Sequence, residues 1–181
     1  MEAALKAMLA GNAIFFMDGF DQAIKIASKG YPNMGVTEAD REKVLRGSKE
    51  GFSDSVKTNS ALIRKRVKDT RLKIVESYSG VRSDTLMHLL YVEDLAPEEL
   101  LEEIKNRLSS FEIDGVMDSG VIQQLSEETW YSPFPQFQTT ERPDRAAMEL
   151  LNGRIVLICD NSPIALILPT TFHNFMQVSE D

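Results

Sequence analysis

The sequence predicts an α/β domain built on a mixed β-sheet covered by helices, and three observations predict it. A helix, strand, turn, strand unit occurs twice at a constant offset of 142 positions, at about 4–26 and 146–168. Its first strands are unbroken apolar runs, Ala13-Ile14-Phe15-Phe16-Met17 and Ile155-Val156-Leu157-Ile158-Cys159, the pattern of strands buried on both faces. The stretch at about 86–117 reads strand, helix, strand, a βαβ unit whose crossover should be right-handed.

In the first unit, Leu5, Met8 and Leu9 keep helical spacing up to Gly11, Asp18-Gly19 makes the turn, and Ala23, Ile24 and Ile26 form the return strand. In the second, Ala147, Leu150 and Leu151 lead to Gly153, Asp160-Asn161 makes the turn, and Ala165, Leu166 and Leu168 return. Gly11 and Gly153 suit helix ends that need a left-handed residue, and Asp-Gly and Asp-Asn suit tight hairpin turns. The two hairpins are expected to pair within one sheet; the alternative is a functional pseudo-twofold site. Between the units, residues 30–51 read as a polar surface excursion with a turn of helix at Glu38 to Leu45. Ser53 or Asp54 is placed to cap a helix running to about Lys68, with Val56, Ile63 and Val67 on its buried stripe. Arg71 to Ser79 and Leu86 to Val92 read as strands. Pro97 opens a helix to Leu108 whose first acids, Glu98, Glu99, Glu102 and Glu103, lie toward the positive end of its dipole. A short strand at Ile113 to Met117 and a short helix at Val121 to Glu128 follow. Tyr131 to Phe137 is stiffened by Pro133 and Pro135, which turn Ser132 and Phe134 away from helix. Phe134 and Phe137 either anchor this connector in the core or present a partner surface.

Composition bounds the function. With 181 residues, 43% apolar and 27% charged, the chain is long enough for a buried core. No apolar run approaches the roughly 20 residues of a membrane-spanning helix. One cysteine excludes a disulfide framework, and two distant histidines offer no zinc-type cluster. The net charge of −8 combines a basic block from Lys57 to Arg82, eight cations against two acids, with an acidic block from Glu93 to Glu128, eleven acids against two cations. Both are expected to be solvated faces of amphipathic helices. The acidic total, and the lack of aromatics between Ala61 and Lys73, argue against nucleic acid. Cys159 beside His88 or His173 would be a nucleophile and base only if exposed, and it sits in an apolar run where a thiol is inert. No metal set and no phosphate-binding glycine loop is present. The residues therefore predict no enzyme, no metal and no cofactor.

The segments DGFDQA (Asp18 to Ala23), RGSKEGF (Arg46 to Phe52), TNSALIRKRVKDTRLKI (Thr58 to Ile74), DGVMDSG (Asp114 to Gly120), SPFPQFQTTERPDRAA (Ser132 to Ala147) and LLNGRIVLICDNSPIALILP (Leu150 to Pro169) occur in this order. Together they resemble the A subunit of GerA-type spore germinant receptors, over nearly the whole chain. The resemblance implies that 1–181 is a soluble fragment of the amino-terminal hydrophilic domain of a multi-pass protein of the spore inner membrane, which works with B and C subunits in nutrient sensing. A small α/β subdomain is expected before it and the membrane region after it. The lone reduced Cys159, and a first decapeptide without signal-peptide character, favour the cytosolic, spore-core side. Two roles are expected for such a fragment. In the first it is an assembly and signal-relay module that contacts other A subunits and the B and C subunits, with Arg64, Lys65 and Arg66 facing a partner or anionic headgroups and Phe134 in the rigid loop as a contact. In the second it binds an amino acid, sugar or nucleoside germinant, with Arg142, Glu141 and Tyr131 as ligand residues, because an amino acid calls for a cation, an acid and an aromatic wall.

Overall fold

The computed structural model describes residues 2–9, 12–20, 22–26, 48, 50–110, 114–115, 119–121 and 137–170. Its elements are α1 (Glu2–Leu9), β1 (Ala13–Phe16), β2 (Ala23–Ile26), α2 (Val56–Arg66), β3 (Leu72–Ser79), β4 (Thr85–Val92), α3 (Glu98–Ser110), β5 (Gln138–Thr140), α4 (Pro143–Leu151), β6 (Ile155–Cys159) and β7 (Ala165–Leu168). The α/β class is as expected. β3 to β7 form one sheet in the order β3-β4-β6-β7-β5, and each described ladder in it is antiparallel. Alternation along β4 and β6 sorts their side chains onto two faces. Leu86, Leu90, Val156 and Ile158 pack with Val56 and Ile63 of α2 and with Ala146 and Leu150 of α4. Met87, Leu89, Leu157 and Cys159 pack on the opposite face with Leu101 and Ile104 of α3. The sheet is thus the middle of three layers.

The internal repeat is present in the backbone. β6 and β7 begin at Ile155 and Ala165, in step with β1 and β2 at Ala13 and Ala23, and the registers Ile155↔Leu168 and Ala13↔Ile26 are equivalent. Gly19, Gly153 and Asn161 hold positive φ at the expected places, while Gly11 lies outside the described residues. The β6–β7 connection spans 160–164, longer than a tight turn. Two expectations are corrected. The hairpins do not share a sheet: among the described residues β1 and β2 pair only with each other, and their apolar run is largely exposed, whereas β6 is buried at all five positions. An apolar run is compatible with burial but cannot create it; β6 has β4 and β7 on its edges and helices on both faces, and β1 has neither. The βαβ unit lacks its parallel return beside β4, since β3 and β6 already occupy both β4 edges. Asp114 and Gly115 are not in a strand, and Ile113, Val116 and Met117 lie outside the described residues. So do 30–47, where the turn of helix was expected, and 122–136.

The cap of α2 is Ser55 rather than Ser53 or Asp54, its hydroxyl accepting from the Thr58 N–H. Ser53 is instead held by the fully buried Asn59, whose Oδ1 accepts from the Ser53 N–H at 2.8 Å while Nδ2 donates to the Ser53 carbonyl at 2.6 Å. A second cap comes from far along the chain: Asp160 Oδ1 accepts from the Val56 N–H at 2.8 Å, and the Asn161 N–H donates to the Asp54 carbonyl at 2.8 Å. The β6–β7 turn therefore places a carboxylate on the helix N-terminus, where the dipole favours negative charge. Asp160→Ala is expected to cost about 1–2 kcal/mol, as for other lost caps, read as a lower denaturant midpoint, with Asp160→Asn retaining most of it.

Candidate functional site

The predicted site residues that the structure describes fall at the C-terminus of α2 and at the start of α4, and segment 50–52 joins them. α2 ends in Arg64, Lys65 and Arg66, cations near the negative end of its dipole. Two of the three are held within the domain. Lys65 Nζ lies 3.0 Å from Glu50 Oε1, and Arg66 Nη2 lies 2.5 Å from Glu50 Oε2. Arg66 also donates to the Leu62 carbonyl at 2.9 Å and to Ser48 Oγ at 3.2 Å. Partial burial acts to raise the Glu50 pKa, but the hydrogen bonds and charges of Lys65 and Arg66 outweigh it and hold the carboxyl below its ordinary range. Arg64 is exposed. Two residues beyond Glu50, the side chain of Phe52 is buried in the core against α2 and α4, and its N–H donates to the Glu141 carbonyl at 2.8 Å. The basic end of α2 is thus tied through 50–52 to the start of α4.

At that start, Arg142 turns its fork back on its own helix. Nε and Nη2 donate to Asp144 Oδ1 and Oδ2 at 3.2 and 2.6 Å, a bidentate pair. Burial acts to raise the Asp144 pKa, and Arg142 together with the amides of the first turn overrides it, leaving the carboxyl below its ordinary range. Arg142 and Glu141 are both half-buried. The structure therefore brings Glu141 and Arg142 together and engages Arg142 with an acid. Tyr131 and Phe134, expected to complete a ligand site and a partner contact, lie outside the described residues; Phe137, from the same loop, is buried against the α3 face. Cys159 is fully buried on that face, opposite Met87, whereas His88 faces α2, so the sheet separates the pair. His173 lies outside the described residues. Among the described residues no group of side chains could hold a metal ion, and no helix is long and apolar enough to cross a membrane.

Two features escaped the sequence reading. One is the apolar surface of the first unit, where Phe15, Phe16, Phe20, Ile24 and Ile26 are each more than half exposed; its pattern is that of a buried strand, so no sequence signal marked it. The other is a buried polar contact in the middle of the α2 face, where Ser60 Oγ lies 2.5 Å from His88 Nδ1. A signal for it did exist. His88 alternates with Leu86 and Leu90, and Ser60 stands at helical spacing between Val56 and Ile63, so each is a polar residue in an apolar stripe.

The family profile described as Bacillus/Clostridium GerA spore germination protein matches residues 1–181. The chain is 39% identical over its whole length to the uncharacterized membrane protein YfkQ of Bacillus subtilis, of which it spans 35%. It is 36% identical to spore germination protein KA of the same organism over 96% of the chain and 32% of that protein. It spans about a third of the length of these relatives. Among solved structures, the N-terminal domain of the A subunit of the Bacillus megaterium spore germinant receptor GerK3 superposes with a TM-score of 0.69. That match is 29% identical and covers 95% of this chain and 61% of the other.

Proposed function

The chain belongs to the GerA family of spore germination proteins, and from that membership we propose that it forms part of the hydrophilic N-terminal domain of a germinant receptor A subunit and acts there in assembly and signal relay. Its partners are other A subunits and the B and C subunits, and its parent protein sits in the spore inner membrane with this domain on the spore-core side. The likeness to an A-subunit N-terminal domain supports the assignment to that part of the receptor. The observation that carries the role is the set of exposed apolar side chains on α1, β1 and β2, of which Phe15, Ile24 and Ile26 share one face of the hairpin. Large apolar side chains exposed together on one face mark a contact surface. The triplet Arg64, Lys65 and Arg66 fits a headgroup contact less well, because Glu50 already pairs with two of its members and cancels one of the three charges. Direct nutrient binding by Arg142, Glu141 and Tyr131 has the Arg142–Asp144 pair against it, since Asp144 already supplies the guanidinium with a carboxylate partner.

The test is Ile24→Glu in the full-length receptor subunit. Loss of receptor assembly and of the nutrient response is expected, while the isolated domain keeps its stability within about 0.5 kcal/mol, as exposed substitutions do. Normal assembly and response overturn the proposal. A thermal-shift titration of the domain with amino acids, sugars and nucleosides separates the other reading: a saturable shift that disappears in Arg142→Ala replaces relay by nutrient binding.

A further inference from the structure

β4 carries His88 into the centre of the α2 face of the sheet, between the core residues Leu86 and Leu90, with its side chain only 5% exposed. Ser60, on the buried stripe of α2, meets Nδ1 at 2.5 Å. The other ring nitrogen, Nε2, is buried and makes no hydrogen bond among the described residues; Oε1 of Glu76 lies 3.5 Å from it on the paired strand β3, where Glu76 stands directly across from His88. The Glu76 carboxylate favours one neutral tautomer. With the proton on Nε2, the ring directs an N–H toward the carboxylate and Nδ1 accepts from the Ser60 hydroxyl; the other tautomer would set a lone pair against the carboxylate.

We propose that Ser60, His88 and Glu76 form a proton-operated clasp between α2 and the sheet, closed while the imidazole is neutral and loosened when it takes a proton. This goes beyond the receptor reading and does not depend on it. In the closed state, Nδ1 takes the Ser60 hydroxyl hydrogen; a second proton there turns that hydroxyl from donor to acceptor and leaves its hydrogen to find another partner in the core. A cation here would also lie in an apolar core. The charged groups around the ring come from each neighbouring element: Glu76 from β3 and Asp160 from the β6–β7 turn favour the cation, Lys57 and Arg64 from α2 disfavour it, and β6 contributes the neutral Ile158. Desolvation is the largest influence and leaves the folded-state pKa below 6.5.

The sign follows from linkage. An opened or unfolded state binds the proton at the ordinary histidine pKa of about 6.5, higher than the closed state does, so closure is strongest above that pH and weakens as the pH falls below it, until the closed-state pKa is reached. Glu76 is 59% exposed, so its replacement tests the device without opening the core.

The experiment is amide hydrogen exchange of the chain from pH 8 to pH 4.5, corrected for intrinsic chemistry, with the His88 ring followed by NMR. Protection of the α2 amides, Val56 to Arg66, is expected to fall by up to about tenfold per pH unit below about 6.5, while β6 amides keep theirs. In Glu76→Gln the closed state loses a neighbour that favours the cation, so the fall continues to lower pH before levelling. In the non-titrating His88→Asn it disappears; if that variant does not fold, Glu76→Gln and the ring titration decide. Protection of α2 that is flat with pH, a fall that levels at the same pH in Glu76→Gln, a fall that persists in His88→Asn, or parallel loss in β6 each overturns the clasp.

Discussion

Gly153→Ala is expected to destabilise the domain by about 2–4 kcal/mol, a shift of roughly 5–15 °C in Tm for a chain of this size. Two penalties meet at this residue. It holds φ +83 after the end of α4, a left-handed conformation that costs a non-glycine residue about 1–2 kcal/mol. The added Cβ would also stand 2.7 Å from the carbonyl oxygen of Leu95, a backbone atom that no side-chain rotation can move aside. Leu95 belongs to the turn closed by its N–H on the Val92 carbonyl, so the clash pushes on the lead from β4 into α3. Gly19→Ala is the control. That residue has nearly the same φ, +82, and nothing within 4 Å of the new Cβ, so the conformational penalty alone remains, about 1–2 kcal/mol. Urea melts of both variants measure the difference, and equal costs would show that the close approach at Leu95 relaxes freely.

The second large effect sets the two copies of the repeat against each other. Ile158 and Phe16 are equivalent positions, fourth in β6 and fourth in β1. Ile158 is 1% exposed in the α2 and α4 core, and Phe16 is 57% exposed. Ile158→Ala removes buried methyl groups and leaves a cavity among close-packed neighbours, an expected loss of about 2–5 kcal/mol. Phe16→Ala, although it removes a larger side chain, is expected to change the stability of the isolated domain by less than about 0.5 kcal/mol. The same melts test both. A cost for Phe16→Ala as large as that for Ile158→Ala would mean that β1 is covered in solution, for instance by a second copy of the chain, and the loss would then depend on protein concentration.

The sequence alone determined the α/β class, the repeat and most elements near their observed bounds. These follow from local physics: helical or strand spacing of apolar residues, Pro97 at a helix start, and positions such as Gly19, Gly153 and Asn161 that accept positive φ. Part of the candidate site was legible for the same reason. Arg142 and Asp144 are two residues apart at a helix start, within reach of each other whatever the rest of the chain does. Tertiary structure alone decided what depends on neighbours distant in sequence. It chose which of two apolar hairpins of the same register is buried, because burial needs partner strands on both edges and helices on both faces, and among the described residues β6 has them where β1 does not. It placed Asp160 on the N-terminus of α2, 104 positions away, and it brought Ser60 to His88 across 28. Contacts of that separation are fixed by how layers stack, and no local spacing encodes them.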